Sequence, residues 1–490
     1  MELKRILLGI EGIKAKGNLD IEIEGIEQNS REIKEGYLFV AIKGFATDGH
    51  KYVKSAIENG AIAVLLQSDC DLKSLEIPEN VTILVVDDTR KALAICASNF
   101  YGNPTSKLKL IGITGTKGKT TTSFMIKEIL EKAGKKVGLI GTIATYINGK
   151  KIKDSDRTTP DSLELQRTFK AMVDNGVEVA VMEVSSQSLK LHRVDKCEFD
   201  IVLFTNFSED HISEKEHPSM EDYFNSKLIL FKMCKNGIVN IDNIYTSKVP
   251  KLFPDSNIVT YGIDNQADYI AKDITITNSY VDFKVKLGDK NERIKTGIPG
   301  RFSVYNSLAA ICVAQKFGIN TETIKEALEE VRVPGRSELV NNKLDLTIMI
   351  DYAHSPESLK NILQATKSYT RGKVISVFGC GGDRDSGKRP IMGEISGQIA
   401  DYTIITSDNP RTEDPKKIVD QIEEGMKKTK GKYEVIVDRT EAIKKAIEMA
   451  TKKDIIILAG KGHEPYQEIN GVKYPFDERI IVKNIIDEMK

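Results

Sequence analysis

LIGITGTKGKTTTSFMIKEILEKAGKK, residues 110–136, decides the fold. LIGIT is a short apolar run of the buried-strand kind. A glycine-rich turn follows, and then Met125, Ile126, Ile129, Leu130 and Ala133 recur at helical spacing. Strand, glycine turn and helix in that order form a phosphate-binding unit. In Gly115-Thr116-Lys117-Gly118-Lys119-Thr120, backbone N–H groups and the helix N-terminus would cradle phosphates. Lys119 would reach the β- and γ-phosphates, the Thr120 hydroxyl would bind Mg²⁺, and Thr121 continues the first helical turn. The match to GxxxxGK[ST] is incomplete, because its first glycine falls on Ile113. The plain alternative is a glycine turn with a solvated lysine; the strand before, the helix after and the TTT run favour phosphate.

Working outward, VEVAVMEV (177–184) and FDIVLFTN (199–206) read as further core strands. From 268 to 298 the period changes to strict alternation in DITIT and VDFKVKL, an antiparallel insertion. The helical SVYNSLAAICVAQKFG closes that block at Gly318. Upstream, YLFVAIK (37–43), AIAVLLQ (61–67) and TILVV (82–86) are strands, followed by a helix at TRKALAICASNFYG and a polar linker at NPTSKLK (103–109). After VPGRSE (333–338) the pattern restarts: LTIMIDY, KVISVFG, DYTIITS, YEVIV and DIIILAG are strands separated by helical stretches. Such βαβ alternation implies a mostly parallel, doubly wound sheet. The expectation is an α/β chain of three domains: a small N-terminal domain (1–106), a central P-loop domain with an antiparallel insertion (107–332), and a C-terminal Rossmann-like domain (333–490).

Length and composition agree. At 490 residues the chain is long enough for about three domains. Seventy-one basic residues balance seventy-one acidic ones, which argues against bulk binding to a nucleic-acid backbone. Six scattered cysteines form no CxxC, so reduced thiols are expected, not a disulfide framework or zinc cage. The apolar patch after Lys4 and Arg5 is broken by Glu11, and nothing reads as a membrane span. A cytoplasmic enzyme of small metabolites is the expected class.

Glu183 ends an apolar strand beside the P-loop, where a ligand of a phosphate-bound metal belongs. Asp210 and His211 follow the next strand end. Asn342-Lys343-Leu344-Asp345 matches the NKxD of guanine-binding switches. It precedes a strand, however, and no DxxG lies between Thr120 and Asn342, so it reads as a polar loop. No HExxH or other zinc spacing occurs, and His192, His217 and His463 are expected to serve local hydrogen bonds.

Several motifs, in order, carry a family resemblance: TGTKGKTTT, TTPDSLELQ (158–166), MEVSSQSLKLHRV (182–194), TNFSEDHI (205–212), YFNSKLILF (223–231), YNSLAA (305–310), VPGRSE, DYAHSPESL (351–359), FGCGGDRDSGKRP (378–390), SDNPRTEDP (407–415) and AGKGHE (459–464). The chain resembles the Mur ligases, ATP-dependent amide-forming enzymes of peptidoglycan precursor synthesis, and within them the MurE-type branch that adds the third residue. The resemblance implies a reaction of ATP, UDP-N-acetylmuramoyl-L-alanyl-D-glutamate and meso-2,6-diaminopimelate through an acyl phosphate, in a monomer. It also implies the site residues. Ser30, Phe45, Ala46 and Thr47 would meet the uridine nucleotide, although Asn29 stands where relatives have aspartate. Thr158, Thr159, Ser185 and Arg193 would meet the muramyl dipeptide; Gln187 and Leu191 depart from common histidine and glutamine. Asn306, Arg336 and His354 join the P-loop in binding ATP, with Arg336 at the central-to-C-terminal hinge. Glu183 and His211 would hold Mg²⁺ with Thr120, and Lys227, carbamylated by CO₂, would supply another oxygen ligand. Arg389, Asp408, Asn409, Pro410, Arg411, Gly460 and Glu464 would hold diaminopimelate. A lysine-adding variant, a folylpolyglutamate synthetase and a P-loop switch are the competing readings; the uridine-type N-terminal domain, the DNPR signature and the missing DxxG oppose the last two.

Overall fold

The computed structural model describes residues 1–489 other than 46, 211, 214 and 215, so Ala46 and His211 lie outside the described residues. The chain forms two compact units, Met1–Tyr261 with Cys312–Phe317, and Gly262–Ile311 with Gly318–Lys490.

The first unit holds two sheets. In the N-terminal one the strands Thr82–Val86, Ala61–Gln67, Tyr37–Val40 and Gly25–Glu27 run parallel, and Lys14–Lys16 adds an antiparallel edge. Leu38, Val40, Ala63 and Leu65 bury one face, and Phe39, Val64 and Leu66 the other. Apolar residues on both faces are why these strands read as continuous runs. Leu163, from the helix Ser162–Asp174 of the central part, completes the first of these cores.

The central sheet is built around Lys109–Thr114. Val179–Glu183 pairs with it in parallel on one side and Ile201–Phe204 on the other. Beyond Val179–Glu183 lie Val137–Ile140 and the antiparallel strands Ala144–Ile147 and Lys150–Asp154; beyond Ile201–Phe204 lie Asn236–Asn240 and Asn257–Gly262. The register sets Glu183 opposite Ile113 and Phe204 opposite Thr114. The loops after all three strands therefore leave from one carboxyl edge, the ligand edge of an open α/β sheet.

The second unit contains the expected antiparallel insertion, Lys272–Ile276, Val281–Leu287 and Lys290–Thr296. Val281, Phe283, Val285 and Leu287 are its buried face. Its main sheet has six strands in the order Glu338–Leu339, Thr347–Asp351, Ile455–Ala459, Val374–Phe378, Tyr402–Ile405, Tyr433–Val435, parallel except for the first. Asp351 and Phe378 both face Ala459, and Phe378 faces Ile405. Loops bearing His354, Arg389, the DNPR run and Gly460 consequently share one edge. A hairpin, Tyr466–Ile469 with Val472–Pro475, follows. The Asn342 amide bonds Val340 O at 3.0 Å and Leu346 O at 2.7 Å, closing a polar loop before the strand.

Candidate active site

The helix Lys119–Lys132 starts at Gly118, whose φ of +85° places it in the left-handed region and which offers no capping side chain. The neighbouring helices Ser162–Asp174 and Met220–Lys232 are capped by Asp161 and Ser219. The first N–H groups of the P-loop helix therefore meet no cap from that position, as an anion site requires. Gly115, at φ +147°, is obligatory for space as well: a Cβ there would come within 2.0 Å of Thr205 Oγ1.

Lys119 Nζ donates to the Gly115 and Thr116 carbonyls at 2.8 and 3.1 Å. Thr205 and Asn206, at the next strand end, clamp the loop. Thr205 Oγ1 and Asn206 Nδ2 donate to Lys117 O at 2.7 and 3.0 Å, and Lys117 N donates to Asn206 Oδ1 at 2.9 Å. Lys117 Nζ pairs with Asp210 at 3.0 Å. Thr116 Oγ1 lies 3.3 Å from Tyr223 Oη, and Thr121 is buried in the first helical turn.

Glu183 is buried and accepts from Thr120 Oγ1 at 3.0 Å, from Thr142 Oγ1 at 2.9 Å and from Thr142 N at 3.0 Å. Because the Thr142 proton goes to the carboxylate, the Thr158 hydroxyl 3.1 Å away donates to Thr142. Thr159 Oγ1 donates to Glu183 O and accepts from Ser185 N, at 2.9 and 3.0 Å, while Arg193 Nη1 holds Thr159 O at 3.1 Å. Burial, then the nearby Arg157, pull the Arg193 guanidinium down to about 10.

Lys227 is fully buried. Its ammonium donates to Gly115 O at 3.0 Å and sits 4.5 Å from the Tyr223 ring centre, with no carboxylate within ion-pair distance among the described residues. Burial, then the Lys119 charge, drive its pKa well below the usual lysine range. Lys119, Lys227, Thr158, Thr159, Ser185 and Arg193 line one cavity of about 260 Å³. Gln187 lines it too. So does His217, whose Nδ1 meets Asp222 at 2.7 Å and whose Nε2 meets Ser186 Oγ at 2.9 Å. The carboxylate can only accept, so Nδ1 carries the proton, and burial favours this neutral ring.

In the N-terminal sheet's loops, Ser30 is buried and Asn29 caps the following turn through Arg31 N. Phe45 is three-quarters exposed beneath the Arg90 guanidinium, at 6.0 Å. Thr47 Oγ1 lies 3.2 Å from Tyr52 Oη. Asn306 is buried on the helix Arg301–Lys316. The Arg336 guanidinium stacks 4.9 Å from the Tyr352 ring, and Lys388 Nζ donates to His354 O at 2.9 Å.

The carboxyl edge of the six-stranded sheet is a network of ion pairs. Arg411, at φ +50°, donates through Nε to Glu468 at 3.1 Å and through Nη1 to Gly382 O at 2.7 Å. Arg389 is buried and bidentate on Glu413, at 2.8 and 2.9 Å, with a further bond to Gln421. Asn409 Nδ2 donates to Glu464 at 2.8 Å, and Gln467 Nε2 donates to Asp408 O at 2.7 Å. Beneath Ser407 and Ala459, Arg439 forms a buried pair with Glu478 at 2.8 Å. Pro410 O would block a Cβ on Gly382 at 1.9 Å, so the DNPR and GGDRD loops are mutually fitted.

Sequence reading did not single out Thr142, Thr205, Asn206, Ser186, Lys461 or Glu468 as site residues. Asn206 and Lys461 stand inside quoted motifs, but Thr142 and Glu468 carry no local signal; only sheet register delivers them.

Family models cover most of the chain: Mur ligase family, catalytic domain, at 22–101; Mur ligase middle domain, at 113–314; and Mur ligase, glutamate ligase domain, at 335–462. A protein of Caldanaerobacter subterraneus subsp. tengcongensis named UDP-N-acetylmuramoyl-L-alanyl-D-glutamate–2,6-diaminopimelate ligase is 52% identical over 489 residues, covering 100% of this chain and 99% of that protein. One of the same name from Clostridium botulinum is 49% identical over 492 residues, covering 100% of both. A solved structure of an enzyme of that name superposes with a TM-score of 0.72 at 30% identity, over 100% of this chain and 99% of that one. With the P-loop, the buried strand-end carboxylate and the ion-paired DNPR edge already in place, these likenesses over the whole length show that the chain belongs to the Mur ligase family.

Proposed function

We propose that the chain joins meso-2,6-diaminopimelate to UDP-N-acetylmuramoyl-L-alanyl-D-glutamate at the expense of ATP, a cytoplasmic step of peptidoglycan precursor synthesis. The observation that carries this reading is the shared cavity, where Lys119 and Lys227 stand beside Thr158, Thr159, Ser185 and Arg193. A carboxylate oxygen of the D-glutamyl side chain attacks the γ-phosphorus and ADP leaves. The neutral amine nitrogen then attacks the acyl carbon, inorganic phosphate leaves, and the nitrogen loses one proton and keeps the other as the amide N–H. Bringing an anion to a polyanion requires fixed positive charge at the transferred group. Lys119 supplies it from the loop, and Arg193 orients the dipeptide side.

Magnesium fits the donors. Thr120 and Glu183 offer hard oxygens 3.0 Å apart at the strand end. They would hold the ion, which neutralises phosphate charge; His211 would join them. Lys227 suits carbamylation, because a buried amine with no carboxylate partner among the described residues favours its neutral, CO₂-reactive form. Adding CO₂ to that neutral amine forms a C–N bond, releases one proton and leaves an oxygen-donor anion. In the N-terminal sheet's loops, Ser30 and Phe45–Thr47 take the uridine nucleotide. Asn306, Arg336 and His354, in the second unit, are the further residues assigned to ATP by the family resemblance. The amino acid goes to the DNPR edge, with Arg389 securing Glu413 and the loop, and with Arg411, Asp408, Asn409, Gly460 and Glu464 in contact. Phosphate release in the presence of ATP, the UDP-dipeptide and diaminopimelate, lysine or ornithine tests the reading. Turnover that needs both co-substrates and prefers diaminopimelate is expected; ATP hydrolysis indifferent to the amine would overturn it.

A further inference from the structure

Lys461 lies between two glycines in the left-handed region, Gly460 at φ +116° and Gly462 at φ +55°. Neither can carry a side chain: a Cβ on Gly460 would come within 2.5 Å of Asp408 Oδ2, and one on Gly462 within 2.7 Å of Tyr352 Cβ. The double turn drives the Lys461 side chain inward until nothing of it is exposed. Its ammonium arrives beneath the DNPR run, donating to Asn409 Oδ1 at 2.9 Å, with Asp408 Oδ1 at 3.9 Å and Glu464 Oε2 at 3.8 Å. The rings of Tyr466 and Phe476 close over it, each centred 5.8 Å away.

The bond to Asn409 settles an orientation. Asn409 Oδ1 also accepts from Glu468 N at 3.0 Å, so two donors fix that oxygen, and Nδ2 is left to face Glu464 at 2.8 Å. Reversing the amide would set its NH₂ against an ammonium and a backbone N–H. Without the Lys461 charge, Asp408 and Glu464 would stand as like charges around a buried amide.

We propose that Lys461 is a positioning residue for the amino-acid substrate: it orients the Asn409 amide and offsets the charge of Asp408 and Glu464, so that together they receive the distal ammonium of a diamino acid. The inference rests on the assignment of the DNPR edge to the amine substrate.

Its test uses the full chain and steady-state phosphate release. Wild-type preference for meso-diaminopimelate over lysine checks the substrate assignment alone; the Lys461 variants are then compared with wild type on whichever amine wild type takes. For Lys461→Met the KM for that amine should rise roughly tenfold or more, the loss of a charge-assisted contact, while the KM values for ATP and the UDP-dipeptide and kcat stay within about threefold. Lys461→Gln keeps a donor for Asn409 Oδ1 without the charge, so part of the amine KM should return. If the methionine variant does not fold, the glutamine variant alone must show the amine-specific rise. An unchanged amine KM, or an equal fall of kcat with all three substrates, would overturn the proposal.

Discussion

The two carboxyl edges treat positive charge in opposite ways. At the P-loop, the side-chain nitrogens of Lys119 and Lys227 meet at one acceptor, the Gly115 carbonyl, at 2.8 and 3.0 Å. At the DNPR edge, cations come with carboxylates: Arg411 with Glu468, Arg389 with Glu413, Arg439 with Glu478, and Lys461 between Asp408 and Glu464. The first arrangement concentrates lysine nitrogens around a neutral acceptor beside the cavity, a setting that favours an incoming anion. The second is balanced and can exchange partners with a ligand that brings both signs. Phosphate and a zwitterionic diamino acid are the ligands proposed for these two electrostatic designs.

Removing charge from the concentrated edge should be the more damaging change. Lys119→Ala is expected to lower turnover about a thousandfold, since a charge aimed at the transferred group contributes on the order of 3–4 kcal/mol. The side chain acts from a loop outside the hydrophobic core, so the melting temperature should move far less than turnover. Near-normal phosphate release would break the comparison at its strongest point. Lys227→Ala should cost about a hundredfold, with partial recovery in acetate or formate if the missing group is a carboxylate. Bicarbonate should restore wild-type activity lost on CO₂ depletion. Rescue by methylamine instead would show that the ammonium, and not a carbamate, is the working form.

At the balanced edge the effect should be smaller and specific to one substrate. Arg411→Ala is expected to lose about tenfold or more in kcat/KM for diaminopimelate, a charge-assisted pair being worth about 1.5–3 kcal/mol. Turnover with lysine, which lacks the second carboxylate, should stay level or rise. Because Arg411 also ties Glu468 and Gly382 together, a drop of a few degrees in melting temperature should accompany the kinetic change. Equal losses with both amines would assign Arg411 to the loop and not to the ligand.

These two edges were unequally legible from sequence. The P-loop is contiguous, and strand, glycine turn and helix follow from local hydrophobic period and backbone freedom; residues 109–132 fold as read. The same holds for the alternating insertion and the apolar parallel strands. Short or exposed strands, such as Lys14–Lys16 and Lys150–Asp154, lack a buried face and so carry no period. The DNPR edge draws on five segments between 351 and 468, brought together by register alone. A motif could mark Arg389, but not that Glu413 claims its guanidinium from below. Thr142 became visible only once Val137–Ile140 was seen beside the Glu183 strand.

That claim on Arg389 gives the smallest expected effect. Glu413 accepts both guanidinium nitrogens of Arg389 and the Asp383 N–H, and these bonds, led by Arg389, hold its pKa down to about 2. A folded-state pKa below the unfolded 4.5 means that the native state binds fewer protons. Stability from this pair is therefore fully present above about pH 4.5 and is lost as pH falls toward 2. The full shift would correspond to about 3 kcal/mol. The Glu413 side chain is about a third exposed, so solvent screening reduces this to about 1–2 kcal/mol. Glu413→Gln should accordingly melt a few degrees below wild type at pH 7, and the two curves should converge by about pH 2. A gap of constant size from pH 7 to pH 2 would mean that packing around the buried Arg389, not the charge pair, sets the cost, and the DNPR edge would then be less electrostatic than its ion pairs suggest.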